Sequence, residues 1–194
     1  MSKLRNSILS GFMALFMVAC TTVPLTSIVK LSSVNMSSTL PEDIRVAFIT
    51  PKILRVRQGD LFMGVHLRTG DGSIDVQKKL DLLVDMTMSP PIVQASAGPD
   101  DNVNILKLRP EDVALFKGLQ KTVSDSKQAG RKGSLDINFG SKACAESEIK
   151  GPLFISAFIK TSELSDFILL LNKANVTELA KEAGEDAKIK TCKK

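Results

Sequence analysis

The chain has 194 residues, 43% of them hydrophobic and 24% charged, with a formal net charge of +5. These proportions fit one globular domain and exclude a disordered chain, a collagen-like repeat and a polytopic membrane protein. With no Trp, no Tyr and one His, the chain is short of the commonest general acid/base residue and of the aromatics that line sugar- and base-stacking sites. Its charge is too small to imply nucleic-acid binding.

The first element in chain order is an export signal over residues 1–19. Lys3 and Arg5 form a positive n-region, and Ile8 to Val18 form an apolar run of 11 residues, shorter than the roughly 20 needed to span a bilayer. The junction Met17-Val18-Ala19-Cys20 resembles the lipobox of bacterial lipoproteins, with Met17 where that family usually carries Leu. In the family, a signal peptidase cuts before a cysteine that already bears diacylglycerol, so the resemblance implies lipidation at Cys20. Thr21 follows the cysteine where an inner-membrane lipoprotein would carry Asp, which by the family's sorting rule implies the outer membrane, facing the periplasm. More than one acyl chain is needed for a stable anchor, because a single chain binds only reversibly. A covalent lipid on Cys20 is the one non-protein group expected, and no cofactor is. The remainder of the chain bears only a loose likeness to uncharacterised exported proteins of Gram-negative bacteria, which adds no mechanism.

Residues 20–42 read as lipid anchor, tether and lead-in strand, the strand suggested by Ile28 to Leu31 and Val34. Residues 43–194 read as a single domain. From Asp43 the apolar period becomes two: Ile44, Val46 and Phe48 alternate with Arg45 and Ala47, a second run after Pro51 reaches Arg57, and Gln58-Gly59-Asp60 turns the chain into Leu61 to Arg68. After the turn Thr69-Gly70-Asp71-Gly72-Ser73, a strand carries Leu80, Leu82, Val84, Met86 and Met88 on one parity and Lys79, Asp81, Asp85 and Thr87 on the other. A mobile loop through Gly98-Pro99-Asp100-Asp101 is expected before a strand at Val103 to Leu108.

A long helix is signalled by Pro110 at its first position, Glu111 and Asp112 in its first turn, Val113, Phe116, Leu119 or Gln120, and Val123 on one face, and Gly130 at its close. Strands follow at Ser134 to Phe139, Leu153 to Lys160 and Phe167 to Leu171, the middle one apolar on both parities and so expected to be central. Asn175 and Glu178 predict the cap of a short helix ending at Gly184. Many short strands with one long helix in a connection predict a mainly β fold. The expected form is a two-sheet antiparallel sandwich, immunoglobulin-like, with that helix and a short C-terminal one.

Once Cys20 is lipidated, Cys144 and Cys192 remain, and in an oxidising periplasm they are expected to form a disulfide. It would tie down a Lys-rich tail that has little apolar surface of its own. No CxxC spacing, GxSxG elbow, Walker loop or GxGxxG is present. Asp71, Ser73 and Asp75 have the first spacings of a calcium loop, but Val76 and Leu82 stand where Gly and Glu are needed, so these residues read as hairpin chemistry. No catalytic or metal-ligating set is nominated.

Basic residues crowd the early strands. Arg55, Arg57, His66 and Arg68 each fall on the expected outward parity. They form a candidate site for anionic lipid, glycan or an acidic protein, or else a solvated face that guards against strand pairing. The expected function is that of a non-catalytic, outer-membrane accessory or scaffold lipoprotein facing the periplasm. The alternative is a carrier of lipid or another small ligand, with Met63, Met86 and Met88 as adaptable walls.

Overall fold

The computed structural model describes residues 34–35, 37–182 and 189–193. The signal, Cys20, the Ile28 to Leu31 part of the expected lead-in strand and Gly184 lie outside them, and Val34 is on no strand.

Strand β1 (Arg45–Pro51) is apolar on both parities and is buried on both. Val46 and Phe48 face a first core with Leu61, Met63 and Val65 of β3 (Leu61–Thr69), while Ala47 and Ile49 face a second core on the other side. A strand of this kind must be flanked on both edges and covered on both faces. β1 is hydrogen-bonded antiparallel to β5 (Asp101–Leu108) on one edge and to β8 (Phe154–Lys160) on the other.

The fold is mainly β and antiparallel, as expected. Seven strands form one curled sheet in the order β6 (Gly133–Ser141), β3, β4 (Asp75–Val84), β5, β1, β8, β9 (Ile168–Asn175). The curl has a local origin in β4, whose residues up to Asp81 pair with β3 and whose residues from Leu82 pair with β5. One strand thus belongs to both limbs, and β6 is carried round until Phe139 packs against Phe48 of β1. A separate two-stranded sheet joins β2 (Leu54–Arg55) to β7 (Cys144–Ala145).

Helix α1 (Pro91–Gln94) is short, and Val93 on it is fully buried in the second core. The loop expected to be mobile is therefore partly a lid on that core. Helix α2 (Pro110–Gln128) matches its sequence signals closely: Phe116, Leu119 and Val123 are buried, Pro110 starts it, and Gly130 at φ +71° lets the chain leave. Helix α3 (Val176–Glu182) begins where the Asn175 Oδ1 accepts the Thr177 N–H at 3.0 Å.

Three further expectations are corrected. β4 ends at Val84 because Asp85, expected on the solvent parity, is buried, and Met86 beyond it is 87% exposed. β8 is interior but not central: it sits one strand from the edge, beside β9. The run after Pro51 shrinks to the two residues of β2, since its partner β7 offers only two to pair with.

Cys144 and Cys192 form the expected disulfide, with an S–S distance of 2.05 Å and a sequence separation of 48. The C-terminal segment is held there by backbone bonds as well. The Ala145 N–H donates to the Lys190 carbonyl at 2.9 Å, and the Cys192 N–H donates to the Ala145 carbonyl at 2.8 Å.

Candidate functional site

The structure separates the four residues of the expected anion site. His66 and Arg68 lie on one face of β3, and each meets a carboxylate from a neighbouring strand: His66 Nε2 is 2.6 Å from Asp75 of β4, and Arg68 Nη2 is 3.2 Å from Asp136 of β6. Arg55 belongs to the small β2–β7 sheet, 3.9 Å from Glu146. Arg57 is on no strand, and its backbone N–H donates to Asp60 Oδ2 at 2.7 Å. Seven residue steps of extended chain, roughly 23 Å, separate the start of β3 near Arg57 from Arg68. Alternation along one strand was a sound guide for His66 and Arg68. It said nothing about the partner strands, which bring the carboxylates that these side chains meet.

Asp71 resolves as hairpin chemistry. Its Oδ1 accepts the Ser73 amide at 3.0 Å and the Ser73 hydroxyl at 2.8 Å. Hydrogen bonding from Thr69 and Ser73 holds its carboxyl down at about 2. Among the described residues no group of His, Cys, Asp and Glu is placed to hold a metal ion.

A charge cluster, missed by the sequence reading, gathers around the buried Asp85. Arg45 Nε on β1 donates to Asp85 Oδ2 at 2.8 Å, Lys107 Nζ on β5 lies 3.6 Å from the same oxygen, and the Thr87 amide and hydroxyl donate to Oδ1 at 3.1 and 2.5 Å. Burial alone would raise the Asp85 pKa, but the Thr87 hydrogen bonds and then Arg45 and Lys107 outweigh it, holding the group at about 2. Both carboxylate oxygens accept hydrogen bonds, and the Arg45 Nη1 is occupied by the carbonyls of Glu42 and Ile44. The cluster ties β1, β5 and the end of β4 together.

The open site is elsewhere. A cleft of about 400 Å³ lies between the C-terminal turn of α2 and the adjoining ends of β3 and β6, with Asn35 and Ser37 opposite. Leu67, Val123 and Leu135 give it an apolar floor, and Lys127, Arg131 and Lys132 stand at its rim. The local sequence builds this arrangement. Gly130 turns the chain off α2, the Gly130 and Arg131 amides donate to the carbonyls of Lys127 and Ser126, both at 3.0 Å, and three cations are thereby set around one tight reversal. Gly133 fits against the Arg68 carbonyl so closely that a Cβ there would lie 2.5 Å from it.

Among the described residues, none of Lys127, Arg131 and Lys132 has a carboxylate within ion-pair distance, although Arg131 also feels the field of Asp71. The contrast with His66 and Arg68 is chemical. His66 and Arg68 on β3 are already engaged by carboxylates of their own fold, whereas the rim cations keep their capacity for an external anion. The signal for them in the sequence was the run Lys127 to Lys132 around Gly130, read only as a helix terminus.

Comparison with known proteins returns no match to this chain, whether among family models, curated proteins or solved structures.

Proposed function

We propose that this protein is a non-catalytic accessory lipoprotein of the bacterial envelope. In this reading it is anchored through lipid on Cys20 at the periplasmic face of the outer membrane and holds a partner there. The curled sheet serves as a compact sandwich-like body in which the β6–β3–β4 limb lies over the β5–β1–β8–β9 limb. An immunoglobulin-like arrangement of those two layers is part of the same proposal.

The observation that carries the reading is the filled interior. Phe48 and Phe139 meet edge to face inside the curl, with Phe116, Leu80 and Leu106 all but fully buried around them. The walls expected of a carrier are dispersed: Met63 is in the first core, Met88 packs on the second, and Met86 is in solvent. Function is then pushed to the outer surface, where the cationic cleft lies. The Cys144–Cys192 bridge supports an oxidising compartment.

The test is fractionation and native mass spectrometry of the full chain and its Cys20→Ser variant. The proposal expects the wild type in the outer-membrane fraction with a co-isolated protein and no stoichiometric free lipid, and the variant lost from that fraction. A variant still firmly in the membrane, or a bound lipid in place of a protein, would favour the carrier alternative or another anchor.

A further inference from the structure

Two independent features converge on β6. The first is its free edge. β6 is paired along its whole length with β3, Leu61 to Thr69 opposite Ser141 to Gly133, and among the described residues nothing pairs with its other side. Its sequence, Gly-Ser-Leu-Asp-Ile-Asn-Phe-Gly-Ser, has neither the Pro nor the Lys that normally blunts a long edge, and its single charge, Asp136, is tied to Arg68. The opposite edge, β9, is spoiled as a template by two register shifts against β8 and by Lys173 at φ 47°. The unguarded edge is therefore β6 specifically.

The second feature is charge. β6 is bracketed by cations at both ends: Lys127, Arg131 and Lys132 around the cleft where it begins, and Lys142 immediately after it ends. Lys142 adjoins Lys79, which lies 4.0 Å over the Phe62 ring and whose pKa the neighbouring ammonium lowers. Neither lysine has a carboxylate within ion-pair distance among the described residues.

We propose that the β6 edge takes an acidic, extended segment of a partner protein as an added strand, its carboxylates meeting the cleft cations at one end and Lys142 with Lys79 at the other. The mode is strand addition, in which main-chain hydrogen bonds give affinity and the flanking charges give selectivity. Charge complementarity decides among occupants. Residues 21–33 of this chain carry Lys30 and no acidic residue, so they do not match the rim. A second copy pairing β6 with β6 antiparallel would set the cationic end of one strand beside the cationic end of the other.

This inference rests on the accessory reading, and the experiment separates the two. p-Benzoylphenylalanine is placed in the full-length protein in cells at Ser141 on β6 or at Asn172 on β9, both exposed, and adducts are mapped by mass spectrometry. The expected result is a Ser141 adduct on a partner peptide rich in Asp and Glu. A Lys127→Glu/Arg131→Glu/Lys132→Glu variant with an unchanged thermal midpoint should reduce that adduct at least fivefold. Adducts from Ser141 on residues 21–33, on a second copy, or on lipid would overturn the inference, as would an adduct indifferent to charge reversal. Partner adducts from Asn172 alone would leave the accessory reading standing without this site. Absence of partner adducts from both positions would count against both.

Discussion

The ring of Phe48 on β1 and that of Phe139 on β6 meet with centroids 5.9 Å apart and planes at 76°, although β3, β4 and β5 lie between their strands in the sheet. The pair reports the curl directly, since a flat sheet would hold them on separate parts of one face. Edge-to-face pairs contribute roughly 0.5–1.5 kcal/mol beyond the area they bury. A double-mutant cycle with Phe48→Leu and Phe139→Leu, read by denaturant unfolding, should show coupling of about that size. Additive single effects would mean that the limbs are held together by burial alone.

Stability should fall steeply in acid because of Asp85. Its carboxyl sits at about 2 in the fold, against an ordinary value of 3.8 in the unfolded chain. The depressed group contributes its full stabilisation above pH 4 and loses it as pH drops toward 2, an effect of roughly 2 kcal/mol. Asp85→Ala should cost about 3 kcal/mol at neutral pH, because Arg45 is left without its counter-charge. The same substitution should flatten the pH dependence of unfolding between pH 5 and 2, which urea titrations at several pH values would read out.

Reduction should loosen the C-terminus before the rest. The Cys144–Cys192 bridge closes a long loop, which on the chain-entropy account is worth about 4 kcal/mol. A Cys144→Ala/Cys192→Ala variant should lose protection of the Ala145 amide and of the amide at position 192 in hydrogen exchange, with β1 and β5 amides still protected. Uniform loss across the sheet would show that the bridge supports the whole fold.

Two glycines of the β3–β6 limb should respond differently to alanine. A Cβ at Gly133 would lie 2.5 Å from the Arg68 carbonyl, which is backbone, whereas at Gly64 it would meet the end of the Asn138 side chain at 2.2 Å. The side chain can swing aside and the carbonyl cannot. Gly133→Ala should therefore cost about 1–3 kcal/mol, and Gly64→Ala distinctly less. Asn138→Ala should recover most of the Gly64→Ala loss in a thermal melt and none of the Gly133→Ala loss.

Local chemistry was legible in the sequence. Pro110, the acidic first turn and Gly130 bounded α2 to within a few residues, the alternation in Leu61 to Arg68 placed β3, and the count of cysteines left Cys144 and Cys192 to pair. What escaped depends on contacts between distant segments. The parity of Asp85 looked solvent-facing because nothing near it in sequence announces that Arg45 from β1 and Lys107 from β5 will close over it. His66 and Arg68 looked like one set with Arg55 and Arg57 for the same reason, since the carboxylates that meet them come from β4 and β6. The cleft was invisible because its lining is drawn from α2, β3, β6 and the segment around Asn35.

The place of β1 between β5 and β8 has a consequence for the order in which the chain can be completed. Among the described strands β1 is the first to be made; it carries no charge between Arg45 and Lys52, and it acquires its second neighbour only when β8 has been made, roughly 100 residues later. At ~5–20 residues per second that is an interval of about 5–20 s. Throughout it, a short apolar segment of high β-propensity has at least one edge open to any other strand it meets. The strand that ends up buried on both faces is thus one that passes most of synthesis with an edge unpaired.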